Sequence, residues 1–253
     1  MQRIIILIFG LFLSASVSAA GKIAICSDNN FWYPFTLVKD GKPAGMHIDI
    51  ISKALSNLGY QVEFKPLPWQ RCLREAEHGK MEAVATASYK DERAAFMYYP
   101  RDAATAKKSE QRVMQVEYVV VTMAGNSYEF NGDVTSIPTP VRAPRGYSIV
   151  DDLKKQGVKV DDGAAGDESN LLKLLRRGTG SVVTIPEMVN VLNETYGYKG
   201  KLKISAQPLK SKSYYLPISK ASKLSADERE KIWAEIARVR DDATFMTEVG
   251  ARY

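Results

Sequence analysis

Thr86–Pro100, with the sequence TASYKDERAAFMYYP, is the stretch around which the rest of the chain is organised. Small and hydroxyl residues come first, a charged turn follows, and an aromatic segment ends the stretch. The planar guanidinium of Arg93 can bind both oxygens of a carboxylate, and Thr86 and Ser88 can donate hydrogen bonds to the same group. By its spacing alone Arg93 also fits an ordinary solvated turn. The choice between a ligand-binding arginine and a surface arginine therefore depends on the rest of the chain.

Residues 1–20 have the pattern of a secretory signal peptide. Arg3 supplies a positive charge, Ile4–Leu13 is an apolar run too short for a comfortable membrane span, and Ser14–Ala20 ends in small residues suited to cleavage. We therefore predict that this segment is removed and that the mature protein is soluble and exported to a periplasm.

Composition and charge are those of an ordinary globular protein. The 253 residues are 45% hydrophobic and 25% charged, enough for one large or two modest domains. The net charge of +6 is mild and spread along the sequence, so it weakly favours a small acidic ligand or an anionic surface and does not by itself indicate nucleic-acid binding. In an oxidising compartment we expect the two cysteines, Cys26 and Cys72, to form a disulfide, with two buried free thiols as the alternative.

Three predicted strands in the first part of the chain end beside residues that suit a ligand site: Lys22–Cys26, Gln61–Phe64 and Met81–Thr86. Trp32 lies in an aromatic loop after the first strand, where it either faces a ligand or plugs the core, and Trp69 follows the second strand. Ligands of open α/β sheets bind beyond the carboxyl ends of the strands, so we expect these segments to meet at one edge. That convergence favours Arg93 as a ligand-binding residue.

A second alternation of strands and helices begins with the β-prone run Val116–Met123. Later in this part, Arg145, Gly146 and Tyr147 precede a predicted helix. Their backbone N–H groups and the Arg145 charge suit an anion, and a tight joint capped by Ser148 is the alternative. The order of elements predicts an α/β protein with two lobes, the first completed by the C-terminus, and a ligand cleft between them.

With these segments in place, the chain resembles the periplasmic solute-binding proteins of polar amino-acid ABC transporters, family 3. Four segments carry the resemblance: WYPF at 32–35, DGKPAGMHIDI at 40–50, LPW at 67–69 and the stretch at 86–100. The resemblance implies the type II two-lobe fold of periplasmic binding proteins. The implied divisions are lobe 1 at 21–110 completed by 213–253, lobe 2 at 111–212, and hinge crossings near 99–116 and 207–214.

The resemblance also implies roles for individual residues. In that family an arginine binds the ligand α-carboxylate, and this role passes to Arg93, with Ser88 and Thr86 assisting. Trp32 and Trp69 are then the aromatic walls. The second-lobe loop consists of Arg145, Gly146 and Tyr147.

One departure concerns the aspartate that usually binds the ligand amine from the second lobe. Its expected position is Pro186 in this chain. Glu187 is the substitute that we expect, with Asp167 and Glu168 as weaker candidates. The inference of a carboxylate ligand is therefore better supported than that of an α-amino acid.

The resemblance implies a monomeric receptor, without catalytic residues, cofactor or metal. It would close around a small carboxylate-bearing solute, such as an amino acid, and dock on the membrane permease of an ABC transporter. Two alternatives stay open on the same scaffold, because function resides in the site. One is a periplasmic enzyme, such as a dehydratase of cyclic carboxylates, with Glu187 as the acid or base. The other is a soluble sensor for a membrane partner.

Overall fold

Two mixed β-sheets, each covered by helices, form the two lobes of the protein. The computed structural model describes residues 21–253, and the predicted signal peptide at residues 1–20 lies outside them. Within the described residues no helix is long and apolar enough to cross a membrane. The same part of the chain contains no cluster of three or more His, Cys, Asp or Glu side chains suited to a metal ion.

Short strands and three helices make up the first part of the chain. The strands are β1 (Lys22–Asp28), β2 (Leu37–Lys39), β3 (Lys42–Ala44), β4 (Gln61–Leu67), β5 (Ala83–Ala85), β6 (Ala87–Ser88) and β7 (Met97–Tyr98). The helices are α1 (Met46–Asn57), α2 (Trp69–Glu77) and α3 (Asp91–Ala94).

The second part begins with the longest strand, and the chain then returns to the first lobe. Its strands are β8 (Met114–Met123), β9 (Val141–Arg142), β10 (Val160–Asp161), β11 (Ser181–Thr184), β12 (Leu202–Ile204) and β13 (Lys210–Tyr215). Its helices are α4 (Ser148–Lys155), α5 (Asp167–Arg177) and α6 (Pro186–Tyr196). The C-terminal elements are β14 (Ile218–Ser219), α7 (Ala226–Arg240) and α8 (Ala243–Gly250).

The first sheet has the order β4-β1-β5-β14-β7, so a C-terminal strand completes it. The second sheet has the order β10-β9-β11-β8-β13-β6, with β12 on β8. Strands β8 and β13 connect the lobes. They are antiparallel, and Tyr214 of β13 pairs with Met114 on one side and with Ser88 of β6 on the other. The predicted hinge crossings overlap these connections, and the lobe boundaries themselves stay a prediction.

Helix α1 shows how the sequence pattern builds the first lobe. Its apolar residues recur at helical spacing, and Ile50, Ile51 and Leu55 are buried in the same core as Ile25 of β1. Trp233 of α7 joins this core and donates from Nε1 to the Leu216 carbonyl at 2.8 Å. The return of the C-terminus is therefore part of the core of the first lobe.

Cys26 and Cys72 form the predicted disulfide, with 5.6 Å between their Cα atoms. The bond joins the middle of α2 to β1. Because α2 begins at Trp69 and β1 ends at Asp28, the disulfide also fixes two elements that border the cleft.

Candidate functional site

A narrow cavity lies between the lobes. Its volume is about 20 Å³, which is room for a single water molecule. The chain is therefore in a closed conformation, and a solute of several heavy atoms can enter only when the lobes separate. The cavity is lined by Asp28, Trp32, Thr36, Trp69, Ala85, Thr86, Arg93, Tyr147, Ser148 and Tyr214.

The carboxyl ends of three strands bring the first-lobe residues together, as the sequence predicts. In the parallel register of β1, Asp28 lies beside Leu67 at the end of β4, and Ser27 lies beside Ala85 at the end of β5. The segments that follow these ends carry Trp32, Trp69 and Thr86, which all line the cavity.

Arg93 is only 4% exposed, and its guanidinium reaches from the first lobe to the second. It donates to the Ser88 carbonyl at 3.0 Å and to the Gly146 carbonyl at 3.1 Å. It also lies over the Trp69 ring, 5.1 Å from the ring centroid. Its partners within residues 21–253 are carbonyl oxygens, the Ser88 hydroxyl and this indole ring, and none is a carboxylate.

Gly146 allows the second lobe to approach the first by its backbone. Its carbonyl accepts from Arg93 and from Trp69 Nε1, the latter at 3.0 Å. Its φ of +75° is a conformation that favours glycine, and a Cβ here would collide with the Gln70 side-chain amide. A larger residue would therefore disturb the closed contact.

Two further contacts join the lobes at the cavity. The Tyr147 hydroxyl donates to Asp28 Oδ2 at 2.8 Å. The hydroxyls of Ser88 and Ser148 lie 2.7 Å apart. Tyr147 ends the loop that precedes α4, and Ser148 is the first residue of that helix. This junction therefore provides most of the second-lobe surface of the cavity.

Thr86 has a buried partner of its own. Its hydroxyl lies 2.8 Å from Nδ1 of His47, which stacks on Phe35 with 4.8 Å between the ring centroids. Burial lowers the pKa of His47 to about 3, so this histidine is neutral at physiological pH. The Thr86 hydroxyl is thus held by the first-lobe core, although the residue lines the cavity.

Asp28 and Asp167 are the buried carboxyl groups of this region, 5% and 1% exposed. Burial raises the pKa of Asp28, against the hydrogen bonds that it accepts from Asn30 and Tyr147. Burial also raises the pKa of Asp167 to about 7, and the charge of Asp28 adds to this shift. Near neutral pH, Asp167 therefore lies close to its midpoint.

We expect Asp167→Asn to change how the stability of the protein depends on pH. The folded pKa of about 7 is above the unfolded value, so Asp167 contributes stability at low pH that is lost as the pH rises to about 7. Relative to the variant, the wild type should lose up to about 1.4 kcal/mol per pH unit between roughly pH 4 and 7. Urea unfolding of both proteins at several pH values measures this difference, and parallel profiles would contradict it.

The structure places the predicted site residues in three groups. Five line the cavity: Arg93, Thr86, Trp32, Trp69 and Tyr147. Ser88 and Gly146 contact the Arg93 guanidinium through their carbonyl oxygens. Arg145 and Glu187 do not line the cavity.

Local contacts explain why Arg145 and Glu187 lie outside the cavity lining. The exposed guanidinium of Arg145 donates to the carbonyls of Asp162 and Gly163, at 3.3 and 2.6 Å, and so binds its own lobe. Glu187 lies in the first turn of α6, half-buried, where burial and the nearby Glu117 raise its pKa. Neither side chain lines the cavity of the closed form, and a role of either one in ligand binding stays a prediction.

Sequence reasoning left five lining residues unassigned: Asp28, Thr36, Ala85, Ser148 and Tyr214. Asp28 could have been found from the sequence, because it lies in the polar segment that ends the first predicted strand, where ligands of such sheets bind. No sequence pattern points to Tyr214, because it lies in β13 and reaches the cavity only through the pairing of that strand with β6.

A family model for bacterial extracellular solute-binding proteins, family 3, matches residues 23–244. An ancestral arginine-binding protein bound to arginine is 19% identical, with a TM-score of 0.69 over 93% of this chain and 99% of that one. A histidine kinase sensor domain with similarity to periplasmic binding proteins is 13% identical, with a TM-score of 0.72 over 92% and 95%.

The arginine-, lysine-, histidine-binding protein ArtJ of the thermophilic bacterium Geobacillus stearothermophilus is 16% identical, with a TM-score of 0.68 over 92% of this chain and 94% of that one. At these identities the solved structures show a shared fold. None of the curated protein sequences matches the chain.

Proposed function

The chain belongs to the bacterial extracellular solute-binding proteins of family 3, and from this premise we propose that it captures a small carboxylate-bearing solute, an amino acid, between its lobes. The proposal takes the protein as a receptor that binds and releases its solute unchanged. Arginine, named for two of the similar structures, is one amino acid to test.

The observation that carries the proposal is the buried guanidinium of Arg93. Buried charges in proteins are as a rule paired, whereas the partners of this one are two carbonyls, a hydroxyl and an indole ring. The Gly146 carbonyl belongs to the second lobe and leaves when the lobes separate. A ligand carboxylate can then take its place, with two parallel hydrogen bonds to the planar guanidinium.

Lobe closure follows from the same contacts. Tyr147 to Asp28, Gly146 to Trp69 and Ser148 to Ser88 all join second-lobe atoms to first-lobe atoms. The connections near 99–116 and 207–214 are the hinge in this proposal, because they include β8 and β13. A bound solute stabilises the closed form by contacting both lobes at once.

The proposed partner is the permease of an ABC transporter, which receives the solute from the closed monomer in the periplasm. The similarity to a histidine kinase sensor domain favours a membrane sensor as a second candidate partner. Uptake of labelled solute by cells with and without this protein distinguishes the two, because a sensor partner changes gene expression without being needed for transport.

A thermal-shift screen of the amino acids and of small carboxylates tests the proposal. At a hundredfold excess over Kd, a ligand should raise the free energy of unfolding by about 2.7 kcal/mol. For a chain of this size that corresponds to a rise in Tm of roughly 5–11 °C. A screen without any shift refutes the proposal.

Proton NMR of the solute after incubation with the protein is the control for catalysis. We expect the spectrum of the solute to stay unchanged. A conversion that depends on the protein would favour the enzyme on this scaffold instead.

A further inference from the structure

A second and much larger pocket borders the contact between Ser88 and Ser148. Its volume is about 490 Å³, whereas that of the cavity is about 20 Å³. Ser148 lines the cavity and Ser88 lines the second pocket, so the contact between their hydroxyls lies at the border of the two. The walls of the second pocket come from residues 103–107 after β7, from α4 and from β13, which connects the lobes.

Positive charges outnumber negative ones in the lining of the second pocket. The charged lining residues are Lys107, Lys210 and Lys212, with Asp152 as the acidic one, so two positive charges are left unbalanced. Asp102, on the same segment as Lys107, does not line the pocket, and its carboxylate accepts a hydrogen bond from a neighbouring serine at 2.8 Å. The pocket therefore suits an anion with two negative charges.

Lys212 is the most buried of the three lysines, and it shares its counter-charge. Its ammonium group lies 2.5 Å from Asp152 Oδ2, and that of Lys210 lies 3.0 Å from the same oxygen. Lys212 also donates to the Ser148 hydroxyl at 2.7 Å. One carboxylate balances only one of the two ammonium groups, and a buried charge is favourable only when it is paired. An anion beside Lys212 and Lys210 would complete this balance.

A buried hydroxyl adds a neutral hydrogen-bond donor to the same pocket. Tyr215 lines it and is 1% exposed. Within residues 21–253 the Tyr215 hydroxyl has no partner at hydrogen-bond geometry. Burial raises the pKa of this phenol, so the hydroxyl keeps its proton. A buried O–H group without an acceptor is costly, and an anion oxygen is an acceptor that would satisfy it.

We propose that the second pocket binds a small oxyanion with two negative charges, namely sulfate, phosphate or a phosphate monoester. The ammonium groups of Lys107, Lys210 and Lys212 supply the charge, and the Tyr215 hydroxyl supplies the neutral donor. The volume of the pocket leaves room for an organic group on the oxyanion. The inference does not depend on the solute of the cleft, because Arg93 does not line the second pocket.

Calorimetric titration of the protein with sodium sulfate at constant ionic strength tests this site. Sulfate keeps both charges over the neutral pH range, and chloride at the same ionic strength is the matched anion with one charge. We expect saturable sulfate binding with a Kd of about 1 mM or below, and no saturable binding of chloride. A thermal shift cannot replace this measurement, because sulfate stabilises folded proteins in general. Absence of saturable sulfate binding overturns the inference.

The cleft is the other place where sulfate could bind, because Arg93 is a buried cation there. In Arg93→Ala we expect the Kd for sulfate to stay within about threefold of the wild-type value. Filling the cleft with the tightest ligand of the thermal-shift screen should also leave sulfate binding in place. Loss of sulfate binding in Arg93→Ala assigns the anion to the cleft and overturns the inference.

Single substitutions assign the residues of the second pocket. Lys212→Met should weaken sulfate binding by about tenfold or more, and Lys107→Gln and Tyr215→Phe by about threefold or more each. Lys107 is exposed and Tyr215→Phe keeps the buried ring, so both test the site even if Lys212→Met does not fold. Lys108→Gln is the matched control, because the charge of this exposed neighbour acts on Asp241 instead. Unchanged sulfate affinity in Lys107→Gln and Tyr215→Phe overturns the inference.

Inorganic phosphate and glycerol 3-phosphate distinguish a free oxyanion from a phosphate monoester. Both should compete with sulfate in the calorimetric titration. Equal affinities show that the site recognises the oxyanion alone, and tighter binding of the ester shows that its organic group contacts the remaining volume of the pocket. Both of these results support the site. If neither compound competes with sulfate, the inference is overturned.

The pH dependence of sulfate binding distinguishes a direct contact with Lys212 from a merely structural role of this lysine. Burial lowers the pKa of Lys212 to about 8; Asp152 on α4 opposes this shift, and the charges of Lys210 on β13 and Arg93 on α3 add to it. The other ionisable groups of the pocket are Lys107 and Tyr215.

An anion binds the protonated amine, so sulfate affinity should fall as the pH rises through about 8, by up to about tenfold per pH unit. The charge of sulfate itself is constant over this range. Lys212→Met should abolish the fall. A constant affinity of the wild type for sulfate from roughly pH 7 to 9.5 overturns the inference.

Discussion

Arg93→Ala should weaken solute binding strongly while both lobes stay folded. The substitution removes the buried cationic side chain of the cavity, and with it the two N–H groups that bind the ligand carboxylate in the proposed function. Removing one partner of a buried, hydrogen-bonded charge pair costs about 2–5 kcal/mol, so Kd should rise by roughly thirtyfold to several thousandfold. Calorimetry with the tightest ligand of the thermal-shift screen measures this change.

Two further variants define what Arg93 contributes. Arg93→Lys keeps the charge but lacks the planar fork, so we expect an intermediate loss of affinity. Arg101→Ala is the control, because Arg101 is an exposed arginine in the segment after β7. An unchanged Kd in Arg93→Ala, with wild-type circular dichroism, would refute the assignment of Arg93 to the ligand carboxylate.

Replacing Cys26 and Cys72 together by alanine should cost the protein about 4 kcal/mol of stability in the chain-entropy model. The bond closes a loop between residues 46 positions apart, and a loop of this length restricts the unfolded chain strongly. The corresponding fall in Tm is roughly 8–16 °C for a chain of this size. Urea unfolding of the double variant and of the reduced wild type measures the loss.

Comparing the double alanine variant with the reduced wild type separates the contribution of the covalent bond from that of the packed sulfur atoms. Reduction removes the covalent link but keeps both fully buried sulfur atoms, whereas the alanine substitutions remove the sulfur atoms as well. We expect binding to survive well below the lowered Tm, since the disulfide joins elements that the first-lobe core also holds. A double variant within about 1 kcal/mol of the wild type would show that the bond contributes far less than its loop length implies.

Local patterns account for the part of the fold that could be predicted from the sequence. The apolar spacing of α1 and the turn residues between elements specify each strand and helix over a short range. The capping box at the start of α7 is another such pattern, since Ser225 accepts from the Glu228 backbone and the Glu228 side chain accepts in return. Strands in a parallel sheet end at a common edge, and for this reason strand order alone groups Trp32, Trp69 and Arg93.

The directions of second-lobe side chains depend on local backbone geometry that the residue pattern does not reveal. The sequence identifies Arg145 as a charge beside a helix start, but the chain geometry at Gly146 turns the carbonyl, and not the arginine, toward Arg93. Glu187 is one residue beyond the expected position, and in the first turn of a helix one residue changes the direction of a side chain by about 100°. Its neighbour is therefore Glu117, outside the cavity lining.

Residue patterns alone specify the two-lobe fold and the first-lobe elements that border the cleft, because each depends on local patterns or on strand order. Which acidic groups meet at the cleft depends instead on tertiary packing. Asp28 and Asp167 are far apart in the chain, and tertiary packing brings their loops together, since Asn30 after β1 donates to the Ala165 carbonyl before α5 at 3.2 Å. Burial then raises the pKa of both carboxyl groups, and the charge of Asp28 raises that of Asp167 further; neither effect exists in the extended chain.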